Sequence, residues 1–160
     1  MEKKVFGYPK FDESGEMILT TYENEYRDML MDIRVYKLEK NQTKIFTSDD
    51  EEIAALLLNG KIEINVDGIE KIVSRKSVFL EGPYAGHVSH SKIISVKALE
   101  ETEILVQKTK NKVTFKSKLY TPEDAPWKYS SQGWYGNVAN RRVNTIIDHD
   151  IEPKSNMVLG

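Results

Sequence analysis

The sequence contains no cysteine. That single absence excludes disulfides, thiolate metal sites and cysteine nucleophiles, and it fits a cytoplasmic setting. Histidine is scarce, with 3 in 160 residues, at His87, His90 and His149, which leaves few imidazoles for a metal site. No apolar run approaches the roughly 18 residues needed to cross a bilayer. The opening Met1-Glu2-Lys3-Lys4-Val5-Phe6-Gly7-Tyr8-Pro9 has charges but lacks the apolar stretch of a secretory signal. An excess of one charge is missing too: 23 Lys plus Arg stand against 25 Asp plus Glu, for a net charge of -2. Such a chain has no global field to hold a polyanion, so neither a nucleic acid nor a membrane is expected as a partner.

Hydrophobic residues make up 39% of the chain and charged ones 30%, enough apolar material for one core and too little bias for disorder. The strongest local signal is a hairpin. Lys61-Ile62-Glu63-Ile64-Asn65-Val66 alternates polar and apolar, Asp67-Gly68 follows, and Ile69-Glu70-Lys71-Ile72-Val73 returns. Asp-Gly supplies the two positive-φ positions of a type I′ turn, which pairs Val66 with Ile69 and Ile62 with Val73. The preceding run Ile53 to Leu58 suits either a helical turn or a buried strand. Because Asn59-Gly60 leads straight into the hairpin, a strand is expected. Asp49-Asp50-Glu51-Glu52 before it reads as a solvated bend.

Further strands are expected at Met17 to Tyr22, Met29 to Leu38, Ser77 to Leu80, Lys92 to Ala98, Glu103 to Lys108, Val113 to Lys116, Val143 to Asp148 and Asn156 to Leu159. No segment of helix length keeps a 3.6-residue period, and there is no internal repeat. Many short strands with turn residues between them imply an all-β sandwich or barrel. The stretch Tyr120 to Asn140 departs from this pattern. It holds both tryptophans, Trp127 and Trp134, with Tyr129 and Tyr135, and reads as a long irregular arm of the kind that is functional or wraps a partner.

Several motifs together carry a resemblance. Leu58-Asn59-Gly60 with Val66-Asp67-Gly68 is similar to the core pattern of a cupin. Lys118-Leu119-Tyr120-Thr121-Pro122-Glu123-Asp124, Arg141-Arg142-Val143-Asn144-Thr145-Ile146-Ile147-Asp148 and Ser155-Asn156-Met157-Val158-Leu159-Gly160 resemble the 5-deoxyglucuronate isomerase family of inositol catabolism. The 4-deoxy-5-ketouronate isomerases of pectin breakdown share its superfamily. Phe6-Gly7-Tyr8-Pro9 fits an N-terminal arm of such a protein. The resemblance implies a cupin-like jelly-roll β-barrel over residues 15–117, an N-terminal arm over 1–14, and an arm or linker over 118–160 leading toward a second cupin barrel absent from this chain. It also implies a cytoplasmic homo-oligomer, a small-molecule uronate substrate, and a divalent metal, zinc, held by a His-x-His, a Glu and a further His in that second barrel. The 160 residues would then be the N-terminal half of a bicupin, with no catalytic residue and no cofactor of their own. The alternative is a stand-alone, non-catalytic sugar-binding or oligomerising module.

The residues agree that a metal centre is missing. A cupin centre needs imidazoles and a carboxylate converging from neighbouring strands, yet Phe46 to Glu52 contains no histidine. His87 and His90 are the candidates for an adventitious metal site. Their spacing does not place both on one face of a strand, so two partly exposed histidines near a turn are the simpler reading. His149 between Asp148 and Asp150 suggests a His–Asp pair for a metal-free enzyme, but adjacent strand residues face apart. Arg141 and Arg142 are candidates for the uronate carboxylate, which a guanidinium fork matches, with a structural ion pair, for instance to Asp148, as the plainer role. Trp134, with Trp127, Tyr129 and Tyr135, is a candidate sugar platform, or else part of an interface. Alongside Met157, Val158 and Leu159 these rings would form an exposed apolar patch, with an open strand edge from Asn156, and both features drive self-association.

Overall fold

The computed structural model describes residues 8–160, so Phe6 and Gly7 of the opening motif lie outside the described residues. The strands, in chain order, are β1 (Glu16–Thr20), β2 (Asp32–Leu38), β3 (Thr43–Thr47), β4 (Glu51–Val66), β5 (Ile69–Arg75), β6 (Ala85–Val88), β7 (Ile93–Ala98), β8 (Thr102–Lys110), β9 (Lys118–Tyr120), β10 (Lys128–Ser130) and β11 (Arg141–Val143). Among the described residues the only helical pieces are short 3-10 segments at Arg27–Met29 and Trp134–Asn137. The all-β expectation holds.

β4 organises the barrel. Its first half pairs with β8 and β6, and its second half with β5 and β7, so one strand of 16 residues belongs to both layers. One layer runs β1-β2-β8-β4-β6-β9, and the other brings β3 and β7 beside β4 and β5. The strand turns its corner where the β4–β8 register slips between Leu57 and Asn59. Gly60 sits there at φ +103°, and a Cβ on it would meet the Glu101 carbonyl oxygen at 2.7 Å. Only glycine fits a position that combines this backbone with this approach. The hairpin expected from Asp67-Gly68 forms with its register intact, Val66 opposite Ile69 and Ile62 opposite Val73, and both turn residues have positive φ.

The run Ile53 to Leu58 is apolar on both faces because both faces are covered. Ile53, Ala55 and Leu57 join Ile62, Ile64, Val66, Ile94, Val96, Ile104 and Val106 in the barrel interior. Ala54 and Leu56 point the other way and meet Ala125, Ile146, Ile147, Met157 and Leu159. Burying a side chain of this kind contributes about 1.5–3 kcal/mol, so the second layer is a true part of the core.

Residues 118–160 therefore pack back on the barrel for much of their length. β9 extends the first layer by pairing with β6, and Leu119 enters the interior cluster. Leu159 bridges to Ile147. Met157 and Leu159 are buried, which removes them from the exposed patch expected with the arm aromatics; Val158 alone of the three is exposed. What protrudes is the β10–β11 ribbon with Tyr129, Trp134, Tyr135 and Val138, all exposed. Ser77 to Leu80 is a turn, and Val113 to Lys116 is extended without a ladder. β3 and β6 were not anticipated: Tyr84-Ala85-Gly86-His87 has little strand propensity, and burial decides it.

Candidate functional site

The strands on which a cupin would carry metal ligands present none to the barrel interior. The inward positions of the strands that would present a ligand are Ile53, Ala55 and Leu57 on β4, Val88 on β6 and Ile104 and Val106 on β8, all buried and aliphatic. Among the described residues no group of three or more His, Asp or Glu side chains is placed to hold a metal ion. The donor set of a cupin metal centre does not fit here.

Among the described residues, the fully buried ionisable pair lies on the opposite face of the sheet. β4–β6 pairing sets Ala54 against His87, so His87 shares the outward face with Glu52. Both are fully buried, and His87 Nε2 lies 3.4 Å from Glu52 Oε2. This corrects two expectations: Glu52 is not part of a solvated charge run, and His87 is not a partly exposed turn residue. The reason is tertiary. The segment Ser155–Asn156 covers Glu52, whose Oε1 accepts the Asn156 amide at 2.6 Å and the Ser155 hydroxyl at 3.3 Å. Phe115 stacks on the His87 ring at 4.5 Å between centroids. His90 is partly exposed and pairs with Thr114 Oγ1 at 3.4 Å, so the two histidines do not converge. His149 is exposed.

A second location collects charge around open space. A cleft of about 480 Å³ is bounded by Leu56, Arg75, Phe79, Trp127, Arg142 and Ile146, among others. The Arg142 guanidinium lies over the Trp127 ring, 3.9 Å from its centroid, and donates to the Phe79 carbonyl. Arg142 makes no ion pair within 4 Å of any described carboxylate, so the structural pairing with Asp148 does not form. Arg141 is the neighbouring residue on β11 and alternation turns it away; it does not line the cleft, and neither does Trp134, which instead packs edge-on against Tyr135 with centroids 6.4 Å apart.

The residue that sequence reasoning missed is Arg75, at the end of β5. It is 5% exposed. Its Nη1 donates to the Leu57 carbonyl at 2.8 Å and its Nη2 to the Glu81 carbonyl at 3.1 Å, while Nε has no partner. Burial lowers its pKa, with Glu81 opposing. A signal was present: Val73 and Arg75 are two residues apart on one strand, so the face that buries Val73 also buries Arg75. A further cleft, near Lys71, Lys118 and Tyr120, differs in kind. Its Lys118 is already paired with Asp124 at 3.0 Å, and Tyr120, whose hydroxyl pKa burial pushes up to about 12, stacks under the same lysine.

A two-layer, cupin-like barrel with an apolar interior is the class that this geometry defines. Residues 7–160 match the model of the KduI/IolB family, and the chain belongs to that family. It is 29% identical over 142 residues to 5-deoxy-glucuronate isomerase of Geobacillus kaustophilus, an overlap that covers 85% of this chain and 49% of the relative. The corresponding protein of Geobacillus thermodenitrificans is matched to the same extent, 29% over 142 residues. The chain thus spans about half the length of these curated relatives. Among solved structures, an IolB-like protein from Salmonella typhimurium superposes with a TM-score of 0.63 at 18% identity, over 75% of this chain and 45% of the other.

Proposed function

We propose that this chain is the N-terminal, non-metal barrel of a uronate aldose–ketose isomerase. The whole protein would convert 5-deoxyglucuronate to its 2-keto isomer in inositol catabolism. The observation that carries this reading is the aliphatic interior of a barrel whose relatives are isomerases. Aldose–ketose exchange moves a proton between adjacent carbons and develops negative charge on oxygen. It needs a base within reach of the carbon and an electrophile at the oxygen. Ile53, Ala55, Leu57, Val88, Ile104 and Val106 supply neither. The chemistry, with its divalent metal, is assigned to a second barrel, and the present one supports and orients it. The exposed aromatics of the β10–β11 ribbon favour assembly into a cytoplasmic homo-oligomer through that arm, since such rings are enriched at interfaces. The second reading, a stand-alone sugar-binding or oligomerising module, draws on the arginine cleft.

The test is an isomerase assay on the 160-residue chain alone and on a polypeptide that joins it to a family C-terminal half. Turnover only in the joined protein is expected. Turnover by the 160-residue chain alone would place the chemistry in the wrong barrel.

A further inference from the structure

We infer that this chain assembles head-to-tail: the β10–β11 ribbon of one copy docks on the acidic loop at residues 23–30 of the next. The inference rests on the proposed assembly through the arm and names the face that receives it.

The ribbon carries charge of one sign. Residues 125–147 contain no Asp or Glu, in a chain with 25 of them, yet include Lys128, Arg141 and Arg142. All three bases are exposed. Tyr129, Trp134, Tyr135 and Val138 are exposed between them. Phe79 and Leu80, also exposed, join this surface, because Arg142 donates to the Phe79 carbonyl. Two such ribbons face to face would bring like charges together, and that opposes association. The complement of the ribbon is therefore an acidic surface with apolar side chains beside it.

The loop between β1 and β2 is such a surface. Glu23, Glu25 and Asp28 stand against one base, Arg27, and all four are exposed. Among the described residues these three carboxylates have no ion-pair partner. Met29 and Leu30 follow, both exposed. Acidic groups elsewhere are already engaged: Asp50 and Glu51 with Lys110, Glu101 with Lys37, and Asp124 with Lys118. The loop is also held in shape. The Thr20 hydroxyl donates to the Tyr26 carbonyl at 3.1 Å, and the Thr109 hydroxyl to the Leu30 carbonyl at 3.0 Å. A preformed face loses less freedom on binding.

Position then sets the symmetry. The loop is fixed to β8 at Thr109, whereas the cleft at the foot of the ribbon is lined by Leu105 of the same strand. Four residues of strand put about 13 Å between those points. No hydrogen bond or ion pair joins loop to ribbon among the described residues. One copy thus carries the two halves of the contact at separate places. That is the arrangement of a heterologous interface, which closes into a ring or runs on as a filament.

The test uses two variants of the 160-residue chain and their mixture, followed by sedimentation. Trp134→Ser with Tyr135→Ser removes the ribbon face. Met29→Ser with Leu30→Asn removes the loop face, Asn being suited to the left-handed backbone there, φ 57°. Each variant alone should sediment as a single chain at concentrations where the wild type assembles. Mixed in equal amounts they should form a dimer and nothing larger, because one intact pairing remains. Added salt should weaken the wild-type assembly, since exposed charges are screened. Glu25→Lys with Asp28→Lys alters surface charge alone and should disperse the assembly as the loop variant does. It decides the matter if circular dichroism shows the loop variant unfolded. A wild type that stays single, a loop variant that assembles like the wild type, or a mixture that stays single would each overturn the inference. Dispersal by the ribbon variant but not the loop variants leaves assembly through the arm standing and removes only the head-to-tail pairing. A ribbon variant that assembles unchanged removes both. None of these readouts involves turnover, so the isomerase assay succeeds or fails separately.

Discussion

The buried carboxylate of Glu52 accepts the backbone amide of Asn156 at 2.6 Å across 104 residues of chain. The contact joins the start of the long central strand to the segment that covers the outer face of its sheet. Next to it, on the same face, His87 lies against the second carboxylate oxygen. Glu52 is thus a polar rivet between the sheet and its second layer.

Replacing it separates acceptor from charge. Glu52→Gln keeps an oxygen for the Asn156 amide, whereas Glu52→Ala leaves that amide and His87 without their partner. An unsatisfied buried group costs about 1–3 kcal/mol. Glu52→Ala should therefore lower stability in urea unfolding by at least about 2 kcal/mol, and by more than Glu52→Gln does.

The corner of β4 gives a second prediction. Gly60→Ala forces a side chain into positive φ and against the Glu101 carbonyl. Gly68→Ala faces positive φ alone, with nothing within 4 Å of the new Cβ. Both lose backbone freedom that glycine supplies, but only the first overpacks. Thermal unfolding should show Gly60→Ala as the larger loss, by about 1–3 kcal/mol.

The hairpin turn carries a pH dependence. The Ser117 hydroxyl, donating at 2.8 Å, and the Lys92 ammonium at 3.1 Å hold the Asp67 carboxyl below its ordinary value of 3.8. A carboxyl depressed on folding adds stability that is present above the unfolded value and disappears as pH falls through the folded one. Asp67→Asn keeps a residue that tolerates the positive-φ turn and removes the titration. The stability difference between wild type and Asp67→Asn should be largest near neutral pH and shrink as the pH is lowered below about 4, as followed by urea unfolding at each pH.

The protruding ribbon predicts the opposite of the core. Trp134 is 65% and Tyr135 79% exposed, and exposed substitutions away from special contacts usually stay within about 0.5 kcal/mol. Trp134→Ser with Tyr135→Ser should leave the unfolding midpoint nearly unchanged. If the arm mediates assembly as proposed, the same double variant shifts the protein to smaller species in sedimentation.

Local pattern determined a good deal here. Strict alternation over 61–66 and 69–73, with Asp67-Gly68 between them, sets a hairpin register because a slip of one residue would turn Ile62, Ile64 and Val66 out of the core. Asn59-Gly60 marked the corner of β4. Tertiary structure decided the rest. Glu52 and His87 are polar residues in a charge run and a glycine-rich stretch, and only a covering segment 104 residues away makes them buried. β6 is a strand because β4 and β9 flank it. Arg75 and Arg142 line one cleft, on strands that share no ladder. No local rule relates two arginines so far apart in sequence. Their joint electrostatics exist only once the chain beyond β9 has folded back over the sheet.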